Sequence, residues 1–302
     1  ASVGGGIPII RPLHTCITAD VIEEISGILN GTTNYMLTKM SAEGADYDEV
    51  LKDAQAKGYA ERNPEADVEG HDAGRKIAIL TSLVSGKKVD FEDLYCEGIT
   101  KVTPADISYA KKLGLAIKLI ATSKKQGDKY SIMVSPKMLS ASHPLYSVND
   151  VFNAIFVTGD ALGEAMFMGR GAGRYPTASA VCGDIIDAAR NLIHNEGNRV
   201  NCTCFEEKHM CSIENMCAPC YIRMEVNDQP GALAAIAAAF GAQSVSLHSV
   251  VQSRAANGSA ELVFITHTVS EYNLQMALQI LKVLPVVKEV CSIIRVEDNE
   301  LK

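Results

Sequence analysis

The sequence predicts an α+β protein in two parts: helices plus a mainly antiparallel sheet, then a small βαββαβ ferredoxin-like module from about residue 220. Three observations carry this. Apolar residues recur with helical spacing along most of residues 20–113. The period then shortens, and residues 115–169 read as β-branched and aromatic runs separated by turn residues, the mark of an antiparallel sheet. From residue 221 the order is strand, helix, strand, strand, helix, strand, which is the split βαβ arrangement.

Each element has a local reason. Residues 1–10 pass from a glycine run through Pro8 to β-branched residues. That reads as the inside of a fold, so a further segment is expected ahead of Ala1. Residues 20–40 read as helical through Val21, Ile22, Ile25, Ile28 and Leu29, with a turn at Asn30-Gly31-Thr32-Thr33-Asn34 before Tyr35, Met36 and Leu37 resume. A second helix spans 47–57 and is closed by Gly58. A third spans 69–84, with Ala73, Ile77, Leu80 and Leu83 on one face. Thr103 is a good N-cap and Pro104 suits the first helical position, so a short helix runs to 113. Strands are predicted at 115–123, 130–134, 151–158 and 164–169, then a helix at 176–193. The module has strands at 221–226, 244–252, 261–268 and 286–296 and helices at 231–241 and 270–284. The domain limits that follow are 1–195, a linker at 196–219, and 220–298.

Composition narrows the function. The chain has 302 residues, 28 basic and 36 acidic side chains, a net charge of −8 and 47% hydrophobic content. That is ample apolar surface to offset chain entropy, which excludes a disordered protein. The acidic balance argues against nucleic acid or an anionic membrane as partner. No apolar run approaches the roughly 18–20 residues of a spanning helix, and no basic-then-apolar leader opens the chain. A cytoplasmic protein is expected.

Nine cysteines are too few for a disulfide scaffold. Cys16, Cys96, Cys182 and Cys291 lie in apolar segments and read as small core residues. Five others crowd the linker region. Cys202, Cys204, Cys217 and Cys220, with His209 nearby, could make a tetrahedral zinc site. One CxxC and one CxC depart from the paired CxxC knuckles of a zinc ribbon, so a reduced, metal-free segment is the preferred reading.

Two stretches carry candidate chemistry. In Gly58-Tyr-Ala-Glu-Arg-Asn-Pro-Glu-Ala-Asp-Val-Glu-Gly-His-Asp-Ala-Gly-Arg-Lys76, Asp72 and Lys76 share a helix face, and Glu61 and Asp67 precede them in a loop pinned by Pro64. Such a cluster can hold an ammonium and a hydroxyl and move a proton through the lysine. The competing reading is a capping Asp67, a solvated Glu61 and an ordinary surface pair. The run Gly169-Arg-Gly-Ala-Gly-Arg-Tyr-Pro-Thr177 leads into a helix, where free backbone N–H groups suit an anionic or amide group; a plain connection is the alternative. No strand–GxGxxG–helix with a downstream acid occurs, so a complete dinucleotide-binding domain is not encoded in these residues.

Val3-Gly-Gly-Gly-Ile-Pro-Ile-Ile10, Ile25-Ser-Gly-Ile-Leu-Asn-Gly-Thr-Thr-Asn-Tyr35, the 58–76 stretch, Glu97-Gly-Ile-Thr100 and the 169–177 run together resemble the homoserine dehydrogenase catalytic domain, over residues 1 to about 200. The resemblance implies a Rossmann domain ahead of this segment, with 170–195 packing on it. It implies reversible NAD- or NADP-linked interconversion of L-homoserine and L-aspartate 4-semialdehyde, in threonine, methionine and isoleucine biosynthesis. By the same resemblance Lys76 is the proton donor and acceptor, Asp72 contacts the reacting hydroxyl, Glu61 binds the substrate amino group and Asp67 supports the site. Gly173 and Thr177 match positions near the nicotinamide cofactor. Val3, Gly5 and Ile7 match backbone carbonyls of a monovalent-cation site for Na+ or K+, whose side-chain ligand would precede Ala1. One departure is Asn63, where the family commonly has Asp. A chain of this extent would hold the substrate and an effector yet lack dehydrogenase activity of its own.

The last module resembles an ACT domain, through Asn227-Asp-Gln-Pro-Gly-Ala-Leu233 between its first strand and helix. The turn starts a helix and leaves N–H groups for an amino-acid carboxylate. The resemblance implies an effector, L-threonine by pathway analogy, near Asn227, Asp228 and Gly231. An alternative is a non-catalytic amino-acid-binding regulator that kept the fold. Open sheet edges lead us to expect a homodimer or larger.

Overall fold

The computed structural model describes residues 2–196, 210–254 and 258–298. The chain runs β1 (Ile22–Ile28), α1 (Gly31–Glu43), α2 (Tyr47–Ala56), α3 (Glu65–Val68), α4 (His71–Ser85), β2 (Tyr95–Cys96), α5 (Pro104–Lys112), β3 (Leu115–Gln126), β4 (Lys129–Ser140), β5 (Phe152–Gly159), β6 (Gly163–Arg170) and α6 (Arg174–Ile193). It continues through β7 (Cys217–Ala218), β8 (Cys220–Asn227), α7 (Ala232–Ala242), β9 (Leu247–Arg254), β10 (Ser259–Thr266), β11 (Val269–Ser270), α8 (Glu271–Val283) and β12 (Val287–Glu297). Two compact units result. One comprises residues 1–100, 118–135 and 144–211; the other comprises 101–117, 136–143 and 212–302.

In the first unit the strand order is β6-β5-β1-β3-β4, and β1 pairs antiparallel with both neighbours. Residues 22–28 are therefore a strand and not the helix that their spacing of three suggested. A central strand is buried on both faces, so Ile25 and Ile28 are both shielded and no alternation survives to betray it. The other helices of this unit end where local chemistry dictates. Asn30 caps α1 by accepting the Thr33 N–H at 2.9 Å, and Gly44 closes it in the left-handed region.

Lys118 on β3 is 2% exposed. Its ammonium donates to the Val148 carbonyl (2.6 Å), Asn149 Oδ1 (2.8 Å) and Asn34 Oδ1 (3.2 Å). Three neutral acceptors thus hold a buried cation and tie α1 to the 148–149 turn. Burial pushes the lysine down to about 8.

In the second unit β8 lies between β12 and β10, with β9 at the edge. Alternate residues Cys220, Ile222, Met224 and Val226 face α7 and α8, packing with Phe240, Phe264 and Leu278. The intervening Tyr221 and Arg223 face α5. There Arg223 donates to Asp106 Oδ1 (2.8 Å) and Glu261 Oε2 (3.0 Å), Tyr221 donates to Asp106 (3.1 Å), and Tyr109 donates to Glu261 (2.6 Å). Both faces of the βαββαβ sheet are thereby covered. The cap of α5 is the one expected: Thr103 and Asp106 form a reciprocal capping box, with Pro104 at the start.

The cysteine expectation needs correction. Cys16 and Cys182 are exposed, and Cys96 and Cys291 are only partly covered. Among the described residues the buried cysteine is Cys220, whose position at the start of β8 faces the helices; burial pushes its thiol up to about 12. Among the described residues, no helix is long and apolar enough to cross a membrane.

Lys118 gives a pH test. Its folded value lies below the unfolded value near 10.4, so folding costs free energy while the group is charged in both states, and that cost is relieved as pH rises from about 8 to about 10. The wild-type chain should therefore gain a component of stability across pH 8–10, read by urea denaturation. Lys118→Met should be less stable at pH 7, because it orphans three acceptors, and should lack that component; an unchanged pH slope overturns the assignment.

Candidate functional site

The site is built on the turn between β1 and α1. Lys76, one turn into α4 after Asp72, donates to Asp72 Oδ2 at 2.6 Å and to the Leu29 carbonyl at 2.9 Å. The Asn30 amide nitrogen donates to Asp67 Oδ1 at 2.7 Å and to that same Asp72 Oδ2 at 2.9 Å. Two carboxylates, a lysine and one amide thus form a continuous half-buried cluster. Asp67 sits in the short α3 behind Pro64, and Gly70, in the left-handed conformation, turns the chain into α4.

The loop carrying Asp67 is held by a close backbone approach. Gly98 packs against it so tightly that a Cβ there would lie 2.0 Å from the Val68 carbonyl oxygen, and the Ile99 N–H donates to that oxygen at 2.8 Å. Only glycine permits this, which accounts for its place in the Glu97-Gly-Ile-Thr run. A second brace holds the preceding loop. Thr32 donates to the Tyr59 carbonyl (2.6 Å), Gln55 donates to the Glu61 carbonyl (3.1 Å), and the Tyr59 ring meets Tyr35 edge-on at 4.9 Å.

Electrostatics distinguish the carboxylates. Burial raises Asp67 above the ordinary range; the Asn30 hydrogen bond opposes this, the Asp72 charge adds to it, Lys76 opposes it and Glu61 adds to it. Glu61 is itself exposed, at the rim of the cluster. Asp72 and Lys76 are therefore in direct contact and Asp67 is joined to them through the Asn30 amide, with Glu61 near enough for its charge to act on Asp67. Asn30 was missed: its sequence position shows a turn and a helix start, and nothing in the pattern says that its other end joins two acids from 37 and 42 residues downstream.

The two glycine runs meet. A Cβ on Gly5 would lie 2.0 Å from the Gly171 carbonyl oxygen, and the Gly6 N–H donates to the Arg170 carbonyl at 3.2 Å. Val3, Gly5 and Ile7 line a cavity of about 520 Å³ with Arg11, Ser179 and Asp184. Uncharged backbone carbonyls in such a turn suit a monovalent cation, although the Ile7 carbonyl already accepts the Ile9 N–H at 2.9 Å. Gly173 and Thr177 are exposed at the start of the 20-residue α6, and no side chain caps that helix. The uncapped N-terminus fits the amide or phosphate groups of a nicotinamide cofactor.

In the second unit Asn227, Asp228 and Gly231 border a cavity of about 480 Å³ with Leu233, Gln252 and Leu262. Gly231 opens α7 at φ +87°, and the Asn227 amide donates to the Pro285 carbonyl at 2.9 Å, bracing the turn. Of the cysteines weighed for zinc, Cys217 is exposed and Cys220 is buried, while Cys202, Cys204 and His209 lie outside the described residues. Among the described residues no three His, Cys, Asp or Glu side chains gather as metal ligands.

Comparison with known proteins identifies the family. The homoserine dehydrogenase family model matches residues 8–186 and the ACT domain model matches 221–286. A homoserine dehydrogenase of Synechocystis sp. is 46% identical over 308 residues, covering 98% of this chain and 70% of that protein. One from Corynebacterium glutamicum is 42% identical over 98% of this chain and 67% of its own length. The crystal structure of a homoserine dehydrogenase from Thiobacillus denitrificans superposes with a TM-score of 0.92 at 35% identity, covering 98% of this chain and 69% of that one. A hyperthermophilic archaeal homoserine dehydrogenase in complex with NADPH matches 63% of this chain and 54% of its own, with a TM-score of 0.54 at 33% identity. The chain therefore belongs to the homoserine dehydrogenase family of NAD(P)-dependent oxidoreductases and carries an ACT domain.

Proposed function

We propose that the 61–76 cluster performs substrate binding and proton transfer in the reversible interconversion of L-homoserine and L-aspartate 4-semialdehyde. The observation that carries this is the direct contact of Lys76, Asp72, Asn30 and Asp67. An ammonium has three N–H donors; Leu29 and Asp72 engage two, leaving one for a substrate oxygen. In the reducing direction that proton goes to the developing alkoxide; in oxidation the lysine takes the hydroxyl proton back. Asp72 holds the ammonium and meets the hydroxyl, while Glu61 with Asp67 holds the substrate's amino group.

A nicotinamide cofactor, NADP or NAD, accepts or supplies the hydride when bound; Gly173 and Thr177 are the residues here that would meet it. Val3, Gly5 and Ile7 would hold Na+ or K+ through their carbonyls. A pure amino-acid-binding regulator has no need of the lysine–carboxylate contact, so the enzyme is favoured. In the enzyme with its complete cofactor site, Lys76→Ala should lower kcat by about two to four orders of magnitude and change KM far less, because proton transfer is a transition-state role. Near-normal turnover sinks the lysine assignment; in the same assay, indifference to replacing Na+ and K+ by a bulky organic cation sinks the ion site.

The cavity at Asn227, Asp228 and Gly231 would take the effector, L-threonine, its carboxylate on the free N–H groups of the α7 start. Titration calorimetry should show heat with L-threonine; no heat with it or with related amino acids counts against this. For assembly, β6 is an edge strand with Met166 and Met168 exposed, which suits pairing with a second copy. Light scattering should give a homodimer or larger, and a monodisperse monomer contradicts it.

A further inference from the structure

Two carboxylates drawn together in a half-buried site repel each other, and such a site stands only if something holds them in place. Here the Lys76 ammonium holds Asp72, and one neutral side chain holds both acids. The Asn30 nitrogen spends its hydrogen bonds on Asp67 (2.7 Å) and Asp72 (2.9 Å). Its oxygen meanwhile accepts the Thr33 N–H (2.9 Å) and the Thr33 hydroxyl (3.1 Å), which anchors it to the first turn of α1. The residue before it supplies the carbonyl that holds Lys76. The residue after it, Gly31, has no room for a Cβ, which would lie 2.9 Å from the Val151 carbonyl oxygen; the turn is therefore clamped from outside. Asn30 is 6% exposed, so its donors are shielded from competing water.

We propose that Asn30 is a positioning residue, whose single amide holds Asp67 beside Asp72 and presents Asp72 to Lys76 in the orientation that proton transfer requires. This rests on the reading of Lys76 as the proton carrier. The division of labour follows from the donors. Asp72 Oδ2 receives both the lysine and the amide, so it is the direct ion-pair partner of Lys76. Asp67 has the amide alone within this set, and faces Asp72, Lys76 and Glu61 as its charged neighbours. Asp67 is therefore the group most sensitive to loss of the amide. A cap without an amide would serve α1 equally well, since Ser, Thr and Asp all accept the same N–H. The requirement for Asn specifically comes from the two acids.

That separates this role from ordinary capping by experiment. Asn30→Ser keeps the cap acceptor and removes the donors to both acids. Asn30→Asp keeps the cap and the shape but places a third carboxylate against the other two. Carboxyl-carbon NMR titration of the aspartate-labelled chain, with Asp67→Asn and Asp72→Asn identifying the signals, should show the Asp67 midpoint moving up by about one pH unit in Asn30→Ser and further in Asn30→Asp. Both variants should retain wild-type far-UV circular dichroism; should one fail to fold, the other carries the test. Calorimetry should show L-homoserine binding lost by about tenfold or more, most severely at the acid end. A folded variant with an unmoved Asp67 midpoint overturns the proposal and leaves Asn30 as a cap. A wild-type chain that binds no L-homoserine while the midpoint still moves would instead fault the substrate reading and spare the positioning role.

Discussion

The cluster at the end of β1 is an exercise in holding like charges together. Asp67 and Asp72 come from a four-residue helix and a 15-residue helix joined by Glu69 and the left-handed Gly70, and both must approach a turn that belongs to another strand and helix. What makes this tenable is that the β1–α1 turn offers the complementary groups: the Leu29 carbonyl for the lysine and the Asn30 amide for the acids. Moving β1 by one residue in register would carry the Leu29 carbonyl and the Asn30 amide out of place, leaving Asp67 without its donor and Lys76 and Asp72 with only each other. The central place of β1, paired on both sides, guards against that slip, so the sheet's order is part of the site's chemistry.

The second unit solves a different problem. A βαββαβ sheet has two faces and its own helices cover one. The strand period of two sends Cys220, Ile222, Met224 and Val226 to the helices and leaves Tyr221 and Arg223 facing the other way. Apolar residues alone could have covered α5 there. The protein uses an ionic network centred on fully buried Asp106, which receives Arg223 and Tyr221 while also capping its own helix. Such a network is weak as a source of stability but strict about register: removing one member leaves another charge buried and unpaired, typically at a cost of about 3–5 kcal/mol. Its effect is to demand one particular seat for α5.

What the sequence shows follows from how local each cause is. The α5 start was legible because Thr103, Pro104 and Asp106 act within one turn. The βαββαβ order was legible because period and length change at each boundary. The acid–lysine cluster was visible as Asp72 and Lys76 at one helical turn, with Asp67 close by in the chain. The β1 strand was not legible, because a strand covered on both faces loses the alternation that would identify it, and Ile22, Ile25 and Ile28 imitate a helix. The cysteines were misjudged for the converse reason: apolar neighbours in sequence do not say which face a small side chain takes, so Cys16 and Cys182 emerge exposed and Cys220 buried. Asn30 was invisible as a site residue because its partners are defined only by the fold.

The glycines make the same point from the other direction. Gly5 and Gly98 sit where another backbone passes with no space for a single carbon, so each marks a chain crossing that no pattern of polarity could reveal. Gly98 sets the height of the Asp67 loop, and Gly5 sets the distance between the opening turn and the loop that begins α6. The Gly171 carbonyl lies against Gly5, while a Cβ on Gly171 would lie 2.1 Å from the buried Asn153 amide. Asn153 in turn lies beside Gly31, the residue that follows Asn30. A continuous chain of contacts without spare volume therefore runs from the candidate cofactor loop to the turn that holds the two acids. A side chain added at any of these glycines would shift not one loop but the separation between the helix that would meet the nicotinamide and the lysine that would carry the proton, and that separation is what a hydride-transfer site has to hold constant.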